Sequence, residues 1–185
     1  KQTKGYGFPA IEDRAKADFF DRIPFWWNQI KNLEIKSVLE IGAGHGGFLY
    51  YCKKQGVERV LGIEISEGTC EFARQTFGIE MIKGNFPSVA INEKFDLVCG
   101  FDVFEHLLDP IRSLHYLASL GKYIMLQIPC YRGEGAGFCH FNSREHMFIF
   151  NELSILRLFD SAGIKILSKT KGAFHQDLTI VGETK

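Results

Sequence analysis

Between Ser37 and Ile128 the chain alternates short apolar runs with amphipathic segments, and this rhythm limits its possible folds more than any other feature. The runs are Ser37 to Ile41, Arg59 to Ile65, Glu80 to Lys83, Phe95 to Phe101 and Lys122 to Ile128. Short runs rich in Val, Ile, Leu and Phe read as buried strands. Between them, Gly47 to Gln55, Glu67 to Phe77 and Pro110 to Leu120 read as helices, each followed by a glycine stop at Gly56, Gly78 or Gly121. Ser66 and Asp109 stand at N-cap positions, and Pro110 suits the first helical position. Strands alternating with helices imply an α/β fold with parallel strands, right-handed crossovers and helices on both faces. The tail changes rhythm. Asn151 caps a helix over Glu152 to Ala162, and Ile164 to Lys171 and Asp177 to Glu183 then read as an antiparallel hairpin.

At 185 residues the chain has the length of one domain, with residues 1–36 as a helical N-terminal segment and 37–185 as the core. The N-terminal segment holds "DFFDRIPFWWNQI", an aromatic-rich helical stretch expected to break near Pro24. Residues 129–150 form a long Gly-containing connection, and connections of that length usually bind something. The formal net charge is zero, so no overall positive field points to a nucleic-acid partner. No run approaches the ~20 apolar residues of a membrane span. The five Cys are odd in number and contain no CxxC, which predicts reduced core thiols in a cytoplasmic protein. Nothing in the composition sets an oligomeric state.

The first crossover is "VLEIGAGHGGFL", Val38 to Leu49, with four glycines in six positions. Bare backbone at the carboxyl end of a first parallel strand, leading into a helix N-terminus, is suited to cradling a ligand. Two patterns fit: GxGxxG through Gly42, Gly44 and Gly47, as in dinucleotide sites, and (D/E)xGxGxG through Glu40, Gly42, Gly44 and Gly46. A carboxylate at Glu40 would repel a pyrophosphate and attract an ammonium or sulfonium, as carried by S-adenosylmethionine. Glu64, ending the second strand in "VLGIEIS", can accept hydrogen bonds from both ribose hydroxyls, a role common to either ligand. Asn85 in "IKGNF" can use its amide on an adenine edge.

Taken together, "LEIGAGHGG", "GIEIS", "FDVFEHLLDP" and "SILRLFDSAGIKIL" resemble the class I S-adenosylmethionine-dependent methyltransferases, particularly their small-molecule, ubiquinone-type O-methyltransferase group, from about Ser37 to Glu183. The resemblance implies a Rossmann-like seven-stranded sheet of order 3-2-1-4-5-7-6 with strand 7 antiparallel. It also implies S-adenosyl-L-methionine as cofactor and S-adenosyl-L-homocysteine as product. Glu40, Gly42, Ala43, Gly44 and Gly46 would hold the methionine end, Glu64 with Ile65 the ribose, and Asn85 with Phe86 the adenine. Phe101 and Asp102 would lie near the transferring methyl. Asn85 stands where the family commonly has Asp. The N-terminal aromatics Phe25, Trp26 and Trp27 pack in the core or cover the cofactor, as N-terminal segments of the family do.

The implied reaction transfers a methyl group to a small organic acceptor, most readily at oxygen. In-line displacement needs positioning above all, and an imidazole that titrates near neutrality can help remove a hydroxyl proton. His106 is the first candidate for that work, followed by His140 and His146. Glu105 reads as structural, because adjacent residues of a helix do not face each other. Cys139, His140 and His146 match no common zinc spacing, so no metal is expected. His45 is expected to point to solvent or to the N-terminal segment. Two other functions share the same loop: a nicotinamide-dependent oxidoreductase, which would need a second catalytic domain, and a catalytically silent cofactor-binding module.

Overall fold

The computed structural model describes residues 10–138, 145–174 and 176–185. Helices α1 (Ile11–Phe20) and α2 (Arg22–Ile30) precede β1 (Ser37–Ile41), α3 (Gly47–Lys54), β2 (Arg59–Glu64), α4 (Glu67–Phe77) and β3 (Met81–Lys83). Then follow β4 (Phe95–Phe101), α5 (Pro110–Leu120), β5 (Gly121–Tyr131), β6 (Phe150–Asn151), α6 (Glu152–Ser161), β7 (Lys165–Lys171) and β8 (Asp177–Glu183). The main sheet runs β3-β2-β1-β4-β5-β8-β7. The first five strands are parallel, and β8 lies antiparallel to both β5 and β7. This is the order expected from the resemblance, with the late hairpin at one end.

Two-residue alternation along the strands divides the core between the faces of the sheet. Val38, Val60, Leu97, Cys99 and Met125 pack with Ile23, Trp26, Phe48, Cys52 and Ala73 from α2, α3 and α4. Leu39, Leu61, Val98, Ile124 and Leu126 pack with Leu114, Leu117, Ile155 and Phe159 from α5 and α6 on the other face. The expected caps are present: Ser66 Oγ accepts from Thr69 N, Asp109 Oδ1 from Arg112 N, and Asn151 and Ser154 form a reciprocal capping box. Cys52, Cys70, Cys99 and Cys130 are buried free thiols; Cys139 lies outside the described residues.

The fold departs from expectation in three places. The N-terminal helical stretch breaks at Asp21, whose carboxylate accepts from Arg22 N, while Pro24 sits in the first turn of α2, where its missing N–H has no intrahelical partner to lose. Gly121 is no helix stop of the left-handed kind, since its extended φ of −118° carries α5 straight into β5. β5 continues through Pro129 to Tyr131, where Cys130 and Tyr131 pair in parallel with Phe150 and Asn151 of β6. The strand tolerates Pro129 because pairing with β4 ends at Gln127, and the next bond to the far neighbour comes from Cys130 N, to Gln176 O at 2.8 Å.

Candidate active site

The carboxyl ends of β1, β2 and β4 converge on the glycine loop. Gly42, Gly44 and Gly46 have φ of +63°, +51° and +75°, a region that L side chains seldom adopt. Gly42 also lies under Val103, where a Cβ would come within 2.8 Å of a methyl group, whereas a Cβ on Gly44 would meet nothing within 4 Å. The open side of Gly44 is the room a ligand needs. Ala43 N donates to Ile63 O at 3.0 Å, which ties the loop to the end of β2.

Glu64 closes the second side. Its Oε2 accepts from Gly44 N at 3.1 Å and its Oε1 from Ser66 N at 3.0 Å. A carboxylate has about four lone-pair sites, so two backbone amides orient it and leave acceptor capacity for a diol. Ile65 beside it is 65% exposed, an apolar rim next to a polar group. Asn85 is exposed after β3, whereas Phe86 turns inward and stacks on Tyr116, with ring centres 5.6 Å apart.

Glu40 lies deeper, 4% exposed, and its Oε2 has no hydrogen-bond partner among the described residues. Burial pushes its carboxyl well above the usual range, and the carboxylates of Glu64 and Asp18 push the same way. A buried orphan acid amid other acids suits an arriving cation.

Phe101 ends β4, and Asp102 follows it, under α2. Trp26 stacks on Phe101 at 3.8 Å and 5°, and Phe48 meets the same ring edge-on at 5.0 Å. Asp102 adopts φ of +54° and is bonded by the Arg22 guanidinium, which also lies over the Trp26 ring. Gln127 Nε2 donates to Asp102 Oδ1 at 3.0 Å, while its Oε1 accepts from Trp26 Nε1 at 2.9 Å, Ala173 N at 3.0 Å and Thr179 Oγ1 at 3.3 Å. Gln127 thus joins α2, β4, β8 and the hairpin turn. The lone polar residue in "YIMLQIPC" was its signal in the sequence, and Arg22 was the lone cation in "DRIPFWW". His45 turns to the N-terminal segment, its Nε2 2.9 Å from Asp18 Oδ2, while its Nδ1 accepts from Gly47 N.

His106 and His146 come together, their ring centres 4.7 Å apart, each with Nε2 3.8 Å from Glu105 Oε1. Residues 104–106 form a short 3-10 turn, and although neighbours there point apart at the backbone, the His106 side chain folds back to within 3.8 Å of Glu105 Oε1. His140, like Cys139, lies outside the described residues, so the Cys139, His140 and His146 grouping is not described.

The sequence matches the methyltransferase domain family model over residues 11–169. The chain belongs to this family, the class I S-adenosylmethionine-dependent methyltransferases. It is similar to the ribosomal protein L11 methyltransferase of Fusobacterium nucleatum, with 34% identity over 90 residues, 43% of this chain and 29% of that protein. The match therefore spans less than a third of that relative's length. Among solved structures it resembles magnesium protoporphyrin IX methyltransferase of Synechocystis with bound S-adenosylhomocysteine, at TM-score 0.72 and 17% identity, covering 98% of this chain and 91% of that one. It also resembles a chain in a Haloferax volcanii complex of the Trm112 methyltransferase activator with a methyltransferase, at TM-score 0.78 and 15% identity, covering 92% of each chain. The methyltransferase family membership does not single out a ubiquinone-type subgroup. No helix among the described residues is long and apolar enough to cross a membrane.

Proposed function

We propose that the chain transfers the methyl group of S-adenosylmethionine to a small organic acceptor, most readily at oxygen. The observation that carries the cofactor side is the buried Glu40, whose Oε2 has no partner among the described residues, beneath a glycine loop with an open face at Gly44. Those residues fit a cationic ligand and disfavour a pyrophosphate, which removes the main support for a nicotinamide enzyme.

In this reading Glu40 and the backbone of Gly42, Ala43, Gly44 and Gly46 hold the methionine end. Glu64 takes the ribose hydroxyls, Ile65 covers an apolar edge, and Asn85 with the backbone of Phe86 borders the adenine. When bound, the cofactor supplies an electrophilic methyl on a sulfonium, so the protein's work is alignment and exclusion of water. Phe101, roofed by Trp26, and Asp102, clamped by Arg22 and Gln127, give that end of the site rigid walls. His106 and His146 offer groups that can bind an acceptor oxygen through its proton. Exposed Leu108, Met147, Phe148 and Ile149 near the histidines favour an acceptor with an apolar body.

A screen with methyl-labelled S-adenosylmethionine tests the acceptor. Phenols and alcohols, small amines, and ribosomal protein L11 form the three arms. Label on a small hydroxylated compound supports the proposal; label confined to the protein or amine arms contradicts it.

A further inference from the structure

Glu105 is an unusual residue to bury. It is 1% exposed, it sits at the rim after β4, and neither carboxylate oxygen has a hydrogen-bond partner among the described residues. Leaving an acid buried with nothing to bond is costly unless something else arrives to meet it.

Two imidazoles are aimed at that carboxylate. Glu105 Oε1 lies 3.8 Å from His106 Nε2 and 3.8 Å from His146 Nε2, and one donor atom from each residue falls within 4.8 Å of the others. His106 Nδ1 is 2.9 Å from the carbonyl oxygen of Glu145. A carbonyl only accepts, so in the neutral ring Nδ1 carries the proton and Nε2 turns its lone pair towards Glu105. Metal-ligating histidines are oriented in this way, by a carbonyl on the far nitrogen. The chain also holds the two segments together, because Met147 N and Phe148 N both donate to the backbone oxygen of Glu105, at 2.9 and 3.2 Å.

We propose that Glu105, His106 and His146 form a binding site for a borderline divalent transition-metal ion of the zinc class, with one carboxylate oxygen and two Nε2 atoms as ligands. Imidazole with carboxylate suits zinc and its first-row neighbours better than magnesium or calcium, which take oxygen ligands. Tetrahedral ligands at ordinary zinc distances stand about 3.4 Å apart, so the two 3.8 Å pairs need to close by less than half an ångström and the imidazole pair, which lies within 4.8 Å, by at most about 1.4 Å. Three protein ligands leave a fourth position for water or an oxygen of a bound molecule, as in zinc sites that do chemistry. The nitrogen that holds a metal cannot also take a proton, so metal binding and proton acceptance are alternatives at Nε2. The site stands on these three side chains and not on the choice of methyl acceptor.

The test uses the full chain, stripped with chelator and titrated with zinc chloride by calorimetry and with cobalt(II) by absorption. One ion per chain, bound at about 10 µM or tighter, is expected, with cobalt d–d bands and no thiolate-to-cobalt charge transfer. His106→Ala and His146→Gln should each weaken zinc binding about 100-fold and Glu105→Gln about 10-fold or more, with circular dichroism unchanged. No stoichiometric binding by the wild type, a thiolate band, or equal affinity in folded histidine variants would overturn the site. The wild-type cobalt spectrum decides even if a variant fails to fold, and because no methyl acceptor enters these measurements, their outcome is separate from that of the acceptor screen.

Discussion

Glu40 and Glu64 lie at the carboxyl ends of neighbouring strands but differ in their partners. Glu64 is held by two backbone amides, so Glu64→Ala should weaken S-adenosylhomocysteine binding about 100-fold, the worth of two charge-assisted hydrogen bonds, as measured by calorimetry. Wild-type affinity in that variant would remove Glu64 from the ribose. Glu40 is buried with its carboxyl raised by desolvation, by Glu64 and by Asp18, and it also faces the thiols of Cys52 and Cys99. A cation binds the ionised form better, so affinity should rise with pH as Glu40 ionises, with proton release seen in buffers of different ionisation enthalpy. Glu40→Gln should flatten that pH dependence below the range where the ligand's own amine titrates. Both carboxylates stood out in the sequence because each is an acid at the carboxyl end of an otherwise apolar strand run. Glu105 was not, since its approach to His146 crosses a long connection that leaves no pattern in the sequence.

At the scale of elements, α2 is the piece whose role was only half legible. Aromatic density and helical character mark "DRIPFWWNQI", but which of Phe25, Trp26 and Trp27 faces inward depends on where the helix starts, and Asp21 sets that start instead of Pro24. Trp26 is the residue that stacks on Phe101 and donates to Gln127, while Phe25 and Trp27 pack at the edge of the same core. Trp26→Ala should cost about 3 to 5 kcal/mol in urea denaturation, through lost burial and a cavity. Trp26→Phe should cost about 1 kcal/mol, because Gln127 Oε1 keeps its bonds from Ala173 and Thr179. Equal losses in the two variants would show that the hydrogen bond, and not the packed ring, carries the contact. β6 and the extension of β5 were not legible at all, because two-residue pairing leaves no periodicity to detect.

Across the whole molecule, the regular part of the sheet was readable from alternation alone, and its order came with the resemblance. The polar junction at Gln127, which joins the N-terminal helices to the hairpin, was not, for it depends on residues about 100 positions apart. Next to that junction Asp177, at the start of β8, is buried, and its Oδ2 has no hydrogen-bond partner among the described residues. Desolvation and then the Asp102 charge raise it from 3.8 to about 7. The folded state therefore holds this proton more tightly than the unfolded chain. Its contribution to stability is full below about pH 4 and is lost as pH rises towards about 7. Asp177→Asn should remove this loss and leave the protein more stable than wild type at pH 8 by about 1 to 3 kcal/mol, read from denaturation at both pH values. The strand-end site suits a sulfonium nucleoside rather than a dinucleotide. Calorimetry of the full chain with S-adenosylmethionine, S-adenosylhomocysteine and NAD tests it most directly. One site per chain for both sulfur nucleosides and none for NAD is the predicted result; preference for NAD, or no binding of either sulfur nucleoside by folded protein, would contradict it.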